Sequence, residues 1–298
     1  MSADPTVADP TRTRELVLLA SVFAVAVAGL VYELVAGTLS TYLLGSSVTV
    51  FSLVIGLFLS AMGLGAFVAK YIETGLARAF VVAELALALV GGVSALGLFA
   101  AYAWLDEGYP LVLGATCIAI GALVGVEIPI LLRILEEKVS VRIAVSHVLA
   151  LDYAGALVGS VAFPLLLLPY VGVVRSAALF GLMNLVVALI ALWAFREELP
   201  RPRGLQAGAA GIGAVLVVVL LGGGSATSWL EDQLYADPVV LALDTPYQRV
   251  VVTRWRTDTR LYVNGHLQFS SVDEYRYHEA LAHPALAAAE HPRRVLVL

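Results

Sequence analysis

The sequence predicts a polytopic α-helical membrane bundle of about seven transmembrane helices. A small antiparallel β domain and the first strand of an α/β domain follow it. Three observations lead there. Hydrophobic residues make up 60% of the 298 and charged residues only 14%, where an ordinary soluble domain carries about 25% charge. The apolar residues fall into seven runs, roughly 16–36, 48–69, 79–103, 111–132, 143–168, 172–195 and 205–221. Most reach the ~20 residues that cross ~30 Å of hydrocarbon. From about Ser225 charges become frequent and Trp229, Trp255 and several tyrosines enter. The same composition excludes a disordered chain, a disulfide scaffold and a nucleic-acid binder. Cys117 is the one cysteine, and a net charge of −5 offers no basic face. No metal site is expected.

Residues 1–14, with Pro5, Pro10, Arg12 and Arg14, read as a disordered tail, and 15–221 as the bundle. The first run lacks a small-residue cleavage site and six more follow it, so it reads as a retained signal anchor. The seventh run is the shortest and is rich in Gly and Ala. Ten basic residues (Arg12, Arg14, Lys70, Arg78, Arg133, Lys138, Arg142, Arg196, Arg201 and Arg203) fall in the N-terminal tail and the even-numbered loops, against Arg175 alone in the odd ones. By the positive-inside bias the N-terminus is cytoplasmic in a multi-pass cell-membrane protein, and seven spans put the C-terminal region outside.

Four carboxylates interrupt the apolar runs: Glu33, Glu84, Glu127 and Asp152. Each costs ~2.5–3.5 kcal/mol at mid-membrane if ionised. They are candidates for a proton or cation path or a site for a cationic amine. Protonation, pairing or an interfacial position would explain them equally. Glu33 and Glu127 lie near run ends, and Glu84 and Asp152 deeper. Gly121-Ala-Leu-Val-Gly125 and Gly155-Ala-Leu-Val-Gly159 are identical strings, with Pro129 and Pro164 soon after them. Small residues four apart let helix backbones approach. Duplication and coincidence both account for the identity.

Residues 225–290 read as a small β-sheet plus a helix. Strand patterns run over 238–243, Arg249–Trp255, Thr259–Val263 and His266–Phe269, with a turn at Asp244–Gln248. Asn264-Gly265 predicts a two-residue type I′ hairpin. Ser271 and Glu274 fit a capping box, opening a helix that bends or restarts near Pro284. The apolar run Val295–Leu298 predicts a buried parallel strand.

Thr245-Pro-Tyr-Gln-Arg-Val-Val-Val252, Leu261-Tyr-Val-Asn-Gly-His-Leu-Gln-Phe269, Asp273-Glu-Tyr-Arg-Tyr-His-Glu-Ala-Leu-Ala-His-Pro284 and Pro292–Leu298 together resemble spermidine synthase, the polyamine aminopropyltransferase family. Val31-Tyr-Glu-Leu34 and Val126-Glu-Ile-Pro129 are similar to the membrane region of bacterial members with an N-terminal helical bundle. The resemblance implies transfer of propylamine from decarboxylated S-adenosylmethionine, a co-substrate, to putrescine, with no tightly bound cofactor. It implies that Gln248 contacts the thioadenosine and that Tyr277 and His278 line the polyamine cleft. It makes 291–298 the start of a Rossmann-like domain. The Gly-rich donor loop, the ribose-binding acid and the catalytic Asp are then expected beyond Leu298. No catalytic residue is expected within the chain, and residues 1–298 are expected to be inactive alone. An adenosyl donor made in the cytoplasm also conflicts with an external tail. The alternative function is a transporter or sensor of cationic amines built on the helical bundle. The expected partners are the lipid bilayer and putrescine or spermidine, without nucleic acid; a homo-oligomer is left open.

Overall fold

A computed structural model describes residues 10–45, 48–136, 140–199, 202–245, 248–290 and 293–294. The strand expected at 295–298, the tail up to residue 9 and Pro246 of the expected turn lie outside the described residues. Residues 10–14, assigned to the tail by sequence, instead open the first helix.

The apolar runs form helices, the first, third, fourth and seventh of which extend beyond their runs at both ends. They are α1 (Pro10–Leu44), α2 (Val48–Ala69), α3 (Leu76–Leu105), α4 (Tyr109–Glu136), α5 (Val141–Ala162), α7 (Val173–Ala194) and α8 (Pro202–Leu234). α5 passes through a π-helical turn at Phe163–Leu167 into a last short turn, α6 (Leu168–Tyr170). Pro164 explains the widening, because it has no N–H for the regular ladder and its ring crowds the preceding turn. Among the described residues, seven helices are long and apolar enough to cross a membrane by length and composition. α8 runs 33 residues, well past the expected end at 221. Beyond that point the Thr227 and Ser228 hydroxyls donate back to the carbonyls of Gly223 (2.7 Å) and Gly224 (3.1 Å), so polar side chains there are satisfied within the helix.

α2 packs on α4, α3 on α7 and α1 on α5, and α8 closes against α3 and α7. The two Gly-Ala-Leu-Val-Gly strings do the same work in two of these pairs. A Cβ at Gly121 would meet Phe58 O of α2 at 2.7 Å, and one at Gly155 would meet Phe23 O of α1 at 2.7 Å. Gly125 and Gly159 face Met62 and Val27 in the same way. Close backbone approach is what small residues four apart allow.

Because the long helices alternate in direction, Lys70, Arg78, Arg133, Arg142, Arg196 and Arg203 gather at the end where α1 begins, and Arg175 lies at the other. At the basic end Arg133 Nη1 donates to Ile72 O (2.6 Å) and Ala69 O (3.4 Å), capping α2. At the Arg175 end sits a four-stranded antiparallel sheet, in the order β1 (Val239–Asp244), β2 (Arg249–Trp255), β3 (Asp258–Val263), β4 (His266–Ser270). Asn264 (φ 48°) and Gly265 (φ 77°) turn β3 into β4, the two positive φ angles of a type I′ turn. This tip rests on the end of α1. A Cβ on Gly265 would lie 3.2 Å from Tyr42 O, and the His266 imidazole abuts Gly45.

α9 (Glu274–Ala288) begins at Glu274, with Asp273 as a cap residue that makes no side-chain cap bond. The capping box at Ser271 does not form. Ser271 Oγ accepts from Thr259 N (2.8 Å) and donates to Asp258 Oδ1 (3.1 Å), so the sheet corner captures the side chain that would have capped the helix. α9 runs unbroken through Pro284.

Candidate functional site

β2, β3 and β4 set the frame for Gln248, Tyr277 and His278. Gln248 precedes β2, in a turn closed by Thr245 Oγ1, which donates to Gln248 O (2.7 Å) and accepts from Gln248 N (2.9 Å). Its side chain is exposed. Tyr277 and His278 stand together on α9, their ring centroids 5.9 Å apart, and His278 lies 6.5 Å from Phe269 of β4. Phe269 aligns with Leu261 and, through it, with Val252. That point is four residues along β2 from Gln248 and two strands across. Standard strand spacings therefore put Gln248 on the order of 16 Å from the Phe269–His278 contact. Tyr277 and His278 are brought together, while Gln248 stands apart at the tip end of the sheet. No residue of α9 is buried, so its tyrosines and histidines face open space.

The carboxylates of the bundle separate into two kinds. Glu33 and Asp152 are half-buried. Glu84 of α3 and Glu127 of α4 are fully enclosed, and none of their four carboxylate oxygens has a hydrogen-bond partner among the described residues. Enclosure by neighbouring helices is separate from position along a run: Asp152, well inside its run, is half-buried, whereas Glu127, nearer the end of its run, is enclosed. The two enclosed carboxylates lie close enough to interact electrostatically, and both also interact with Tyr32 of α1. Tyr32 Oη accepts a hydrogen bond from Asn184 Nδ2 of α7 at 3.3 Å. Gly91 makes room for the ring, since a Cβ there would meet Tyr32 Cζ at 2.5 Å. In sequence Tyr32 stands out only as part of the Val31–Leu34 stretch, with no role attached to it, and Asn184 is a lone amide in an apolar run. Glu84, Glu127, Tyr32 and Asn184 form one polar centre inside the bundle. Within it, acceptors outnumber donors.

A third polar group lies in the sheet. Asp258 Oδ2 accepts from Arg260 Nε at 2.7 Å, and its Oδ1 accepts from Ser270 (3.0 Å) and Ser271 (3.1 Å). Desolvation pushes its carboxyl up, but the bonds from Arg260, Ser270 and Ser271 and the guanidinium charge outweigh it and hold the group below its usual range. Arg260 Nη1 also reaches Asp237 at 2.7 Å, tying the chain just before β1 to the sheet. Bonds to Asp258 and Tyr262, with the nearby carboxylate charges, raise the guanidinium pKa further against desolvation. The network is structural, fixing where α9 departs. Among the described residues no group of His, Cys, Asp and Glu side chains is arranged to hold a metal ion.

No protein-family model and no solved structure matches the chain. Curated proteins are similar to it over nearly its whole length, three of them as follows. Polyamine aminopropyltransferase 1 of Ralstonia nicotianae is 48% identical over 295 residues, 97% of this chain and 56% of the relative. The polyamine aminopropyltransferase of Leptospira interrogans is 44% identical over 281 residues, 94% of this chain and 56% of the relative. That of Mycobacterium tuberculosis is 40% identical over 296 residues, 95% of this chain and 55% of the relative. From bundle to sheet, then, this chain is similar to polyamine aminopropyltransferases, and it spans about half the length of the curated relatives it matches.

Proposed function

We propose that the chain is the helical-bundle and sheet portion of a membrane-bound, spermidine-synthase-like aminopropyltransferase. The carrying observation is that similarity of 40–48% to proteins of that name extends through both bundle and sheet, including the stretches that hold Gln248, Tyr277 and His278. The reaction joins an amine to the propyl carbon beside a sulfonium. A C–N bond forms, the C–S bond breaks, and methylthioadenosine leaves as a neutral thioether. The attacking amine must first lose its proton. Gln248 is proposed to hold the thioadenosine of decarboxylated S-adenosylmethionine, and Tyr277 with His278 the putrescine chain. The separation of Gln248 from the Tyr277–His278 pair suits two substrates laid end to end. The transporter or sensor reading is not favoured, because the relatives carry the transferase name.

The surface supports the membrane reading. Between its ends the bundle presents apolar side chains outward, among them Leu53 (60% exposed), Leu157 (65%) and Val218 (69%). Exposed aromatics mark both ends: Trp104, Trp229 and Tyr170 towards the sheet, Tyr71 and Trp193 at the basic end. Trp and Tyr favour the two membrane–water interfaces.

The test is to express the gene containing this sequence in cells lacking spermidine synthase. The membrane fraction is then assayed for methylthioadenosine release from decarboxylated S-adenosylmethionine and putrescine. Spermidine formed by the membranes supports the reading, and membranes that hold the protein yet release no methylthioadenosine overturn it.

A further inference from the structure

We propose that Glu84 and Glu127 form a proton-binding site inside the bundle, with both carboxyl groups held in the acid form. Both side chains are fully buried, and their four oxygens have no hydrogen-bond partner among the described residues. Asn184 points to the same place independently. It too is fully buried, and with Nδ2 held on Tyr32 Oη its Oδ1 is left as an unpartnered acceptor in the same enclosure. Helix contacts bring these groups to one level. A Cβ on Gly181 of α7 would stand 2.7 Å from Ala88 O of α3, and one on Gly29 of α1 would stand 3.1 Å from Val124 Cγ1 of α4. From these contacts Asn184, Glu84 and Glu127 each lie one turn towards the basic end, since α3 runs opposite to α4 and α7. Tyr32 starts one turn on the other side of Gly29, but helical side chains lean towards the helix N-terminus, which carries its hydroxyl back towards the carboxyl groups.

Two enclosed carboxylates need a countercharge or a proton. Among the described residues no lysine, arginine or histidine acts on either group; the electrostatic neighbours are Tyr32 and the carboxyl groups themselves. Elsewhere in the packed helices, Glu33 acts on Cys117, and no charged group acts on Asp152 of α5. α2 has no titratable side chain, and α7 and α8 carry theirs only near their ends. Buried hydroxyls in the same helices satisfy themselves locally. Ser21 donates to Val17 O (2.8 Å) and Ser94 to Gly91 O (2.6 Å). A carboxylate can only accept, and the N–H groups of a helix interior are already taken. A proton removes the charge and turns one carboxyl oxygen into a donor. A metal ion suits the place less well. Among the described residues no third His, Cys, Asp or Glu joins the pair, and neither side chain is exposed to admit an ion. The site belongs to the bundle and does not rest on the transferase reading.

The protein is purified in a neutral detergent, and the infrared carbonyl stretch of acid-form carboxyl groups is recorded at neutral pH. Subtracting the spectrum of Glu84→Gln or Glu127→Gln from that of the wild type should leave a carboxylic-acid band. Glu84→Asp should retain one. The glutamine amide matches the acid form in shape and carries a donor, so both variants should stay folded, as helical content by circular dichroism checks. Wild type and the Glu84→Gln/Glu127→Gln double variant are then unfolded in denaturant without buffer near neutral pH, and the released protons are counted. Carboxyl groups held as acids in the fold ionise on unfolding, so the wild type should release about two more protons than the double variant. A difference of about one or about two supports the site and sets its stoichiometry. Absence of the band, or equal release by the wild type and the folded double variant, overturns the proposal. Stabilisation by sodium chloride over choline chloride that Glu84→Gln abolishes would place a metal ion there and overturn it as well.

Discussion

Asn184 Nδ2 donates to Tyr32 Oη at 3.3 Å inside the bundle, with the unpartnered carboxylates of Glu84 and Glu127 beside the pair. The bond joins α7 to α1 across 152 residues of sequence. Its two members cannot be exchanged for the carboxylates energetically. Removing a hydrogen-bonded partner leaves a buried donor orphaned, whereas the carboxylates have no bond to lose.

Tyr32→Phe should therefore destabilise the bundle by about 1–3 kcal/mol, the cost of an orphaned buried polar group. Glu127→Gln should be neutral or stabilising, because no hydrogen bond is lost and an enclosed ionisable group is removed. Thermal unfolding in detergent, followed by circular dichroism, checks both. A larger loss in Glu127→Gln than in Tyr32→Phe would contradict this account.

The glycines of the repeated string make a second contrast. Gly121→Val and Gly155→Val each drive a side chain into a carbonyl of the facing helix and should cost about 1–3 kcal/mol by overpacking. Nothing lies within 4 Å of a Cβ at Gly97, so Gly97→Ala should hold the wild-type unfolding temperature or raise it. Equal effects at Gly121 and Gly97 would argue against the α2–α4 contact.

Stability of the sheet should fall in acid. The folded-state pKa of Asp258 lies below its ordinary value, so its contribution is fully present above the unfolded value near ~3.9. It is lost as pH falls through the folded value. Unfolding followed by Trp255 fluorescence between pH 6 and pH 2 should steepen below about pH 4. Asp258→Asn should flatten that dependence and lower stability at neutral pH.

Sidedness can be read with single cysteines in a Cys117→Ala background, since Cys117 is the one cysteine and is buried. Glu73 lies in the loop between α2 and α3 and Gln268 in β4, both exposed and at opposite ends of the bundle. A membrane-impermeant maleimide should label Glu73→Cys from the cytoplasmic side and Gln268→Cys from the other. Labelling of both from one side would exclude seven crossings.

In the proposed transferase, His278→Ala should raise KM for putrescine more than KM for the adenosyl donor, and Gln248→Ala the reverse. Steady-state kinetics on the membrane-bound enzyme checks this. Unchanged constants in both variants would remove these residues from the site.

Local pattern determined much of this protein. The length and apolarity of the runs marked all seven long helices, because a segment that satisfies its own backbone and exposes only apolar side chains needs no partner to be recognised. Asn264-Gly265 marked its turn, because so few residues adopt two successive positive φ angles. Ser271 shows the limit: its spacing to Glu274 fits a cap, yet Asp258 and Thr259, brought near by strand pairing, hold its hydroxyl. The tertiary structure alone decided which polar groups meet. Tyr32, Glu84, Glu127 and Asn184 come from four helices. No short-range pattern encodes such meetings, since they depend on which helix faces pack and on where a glycine leaves room.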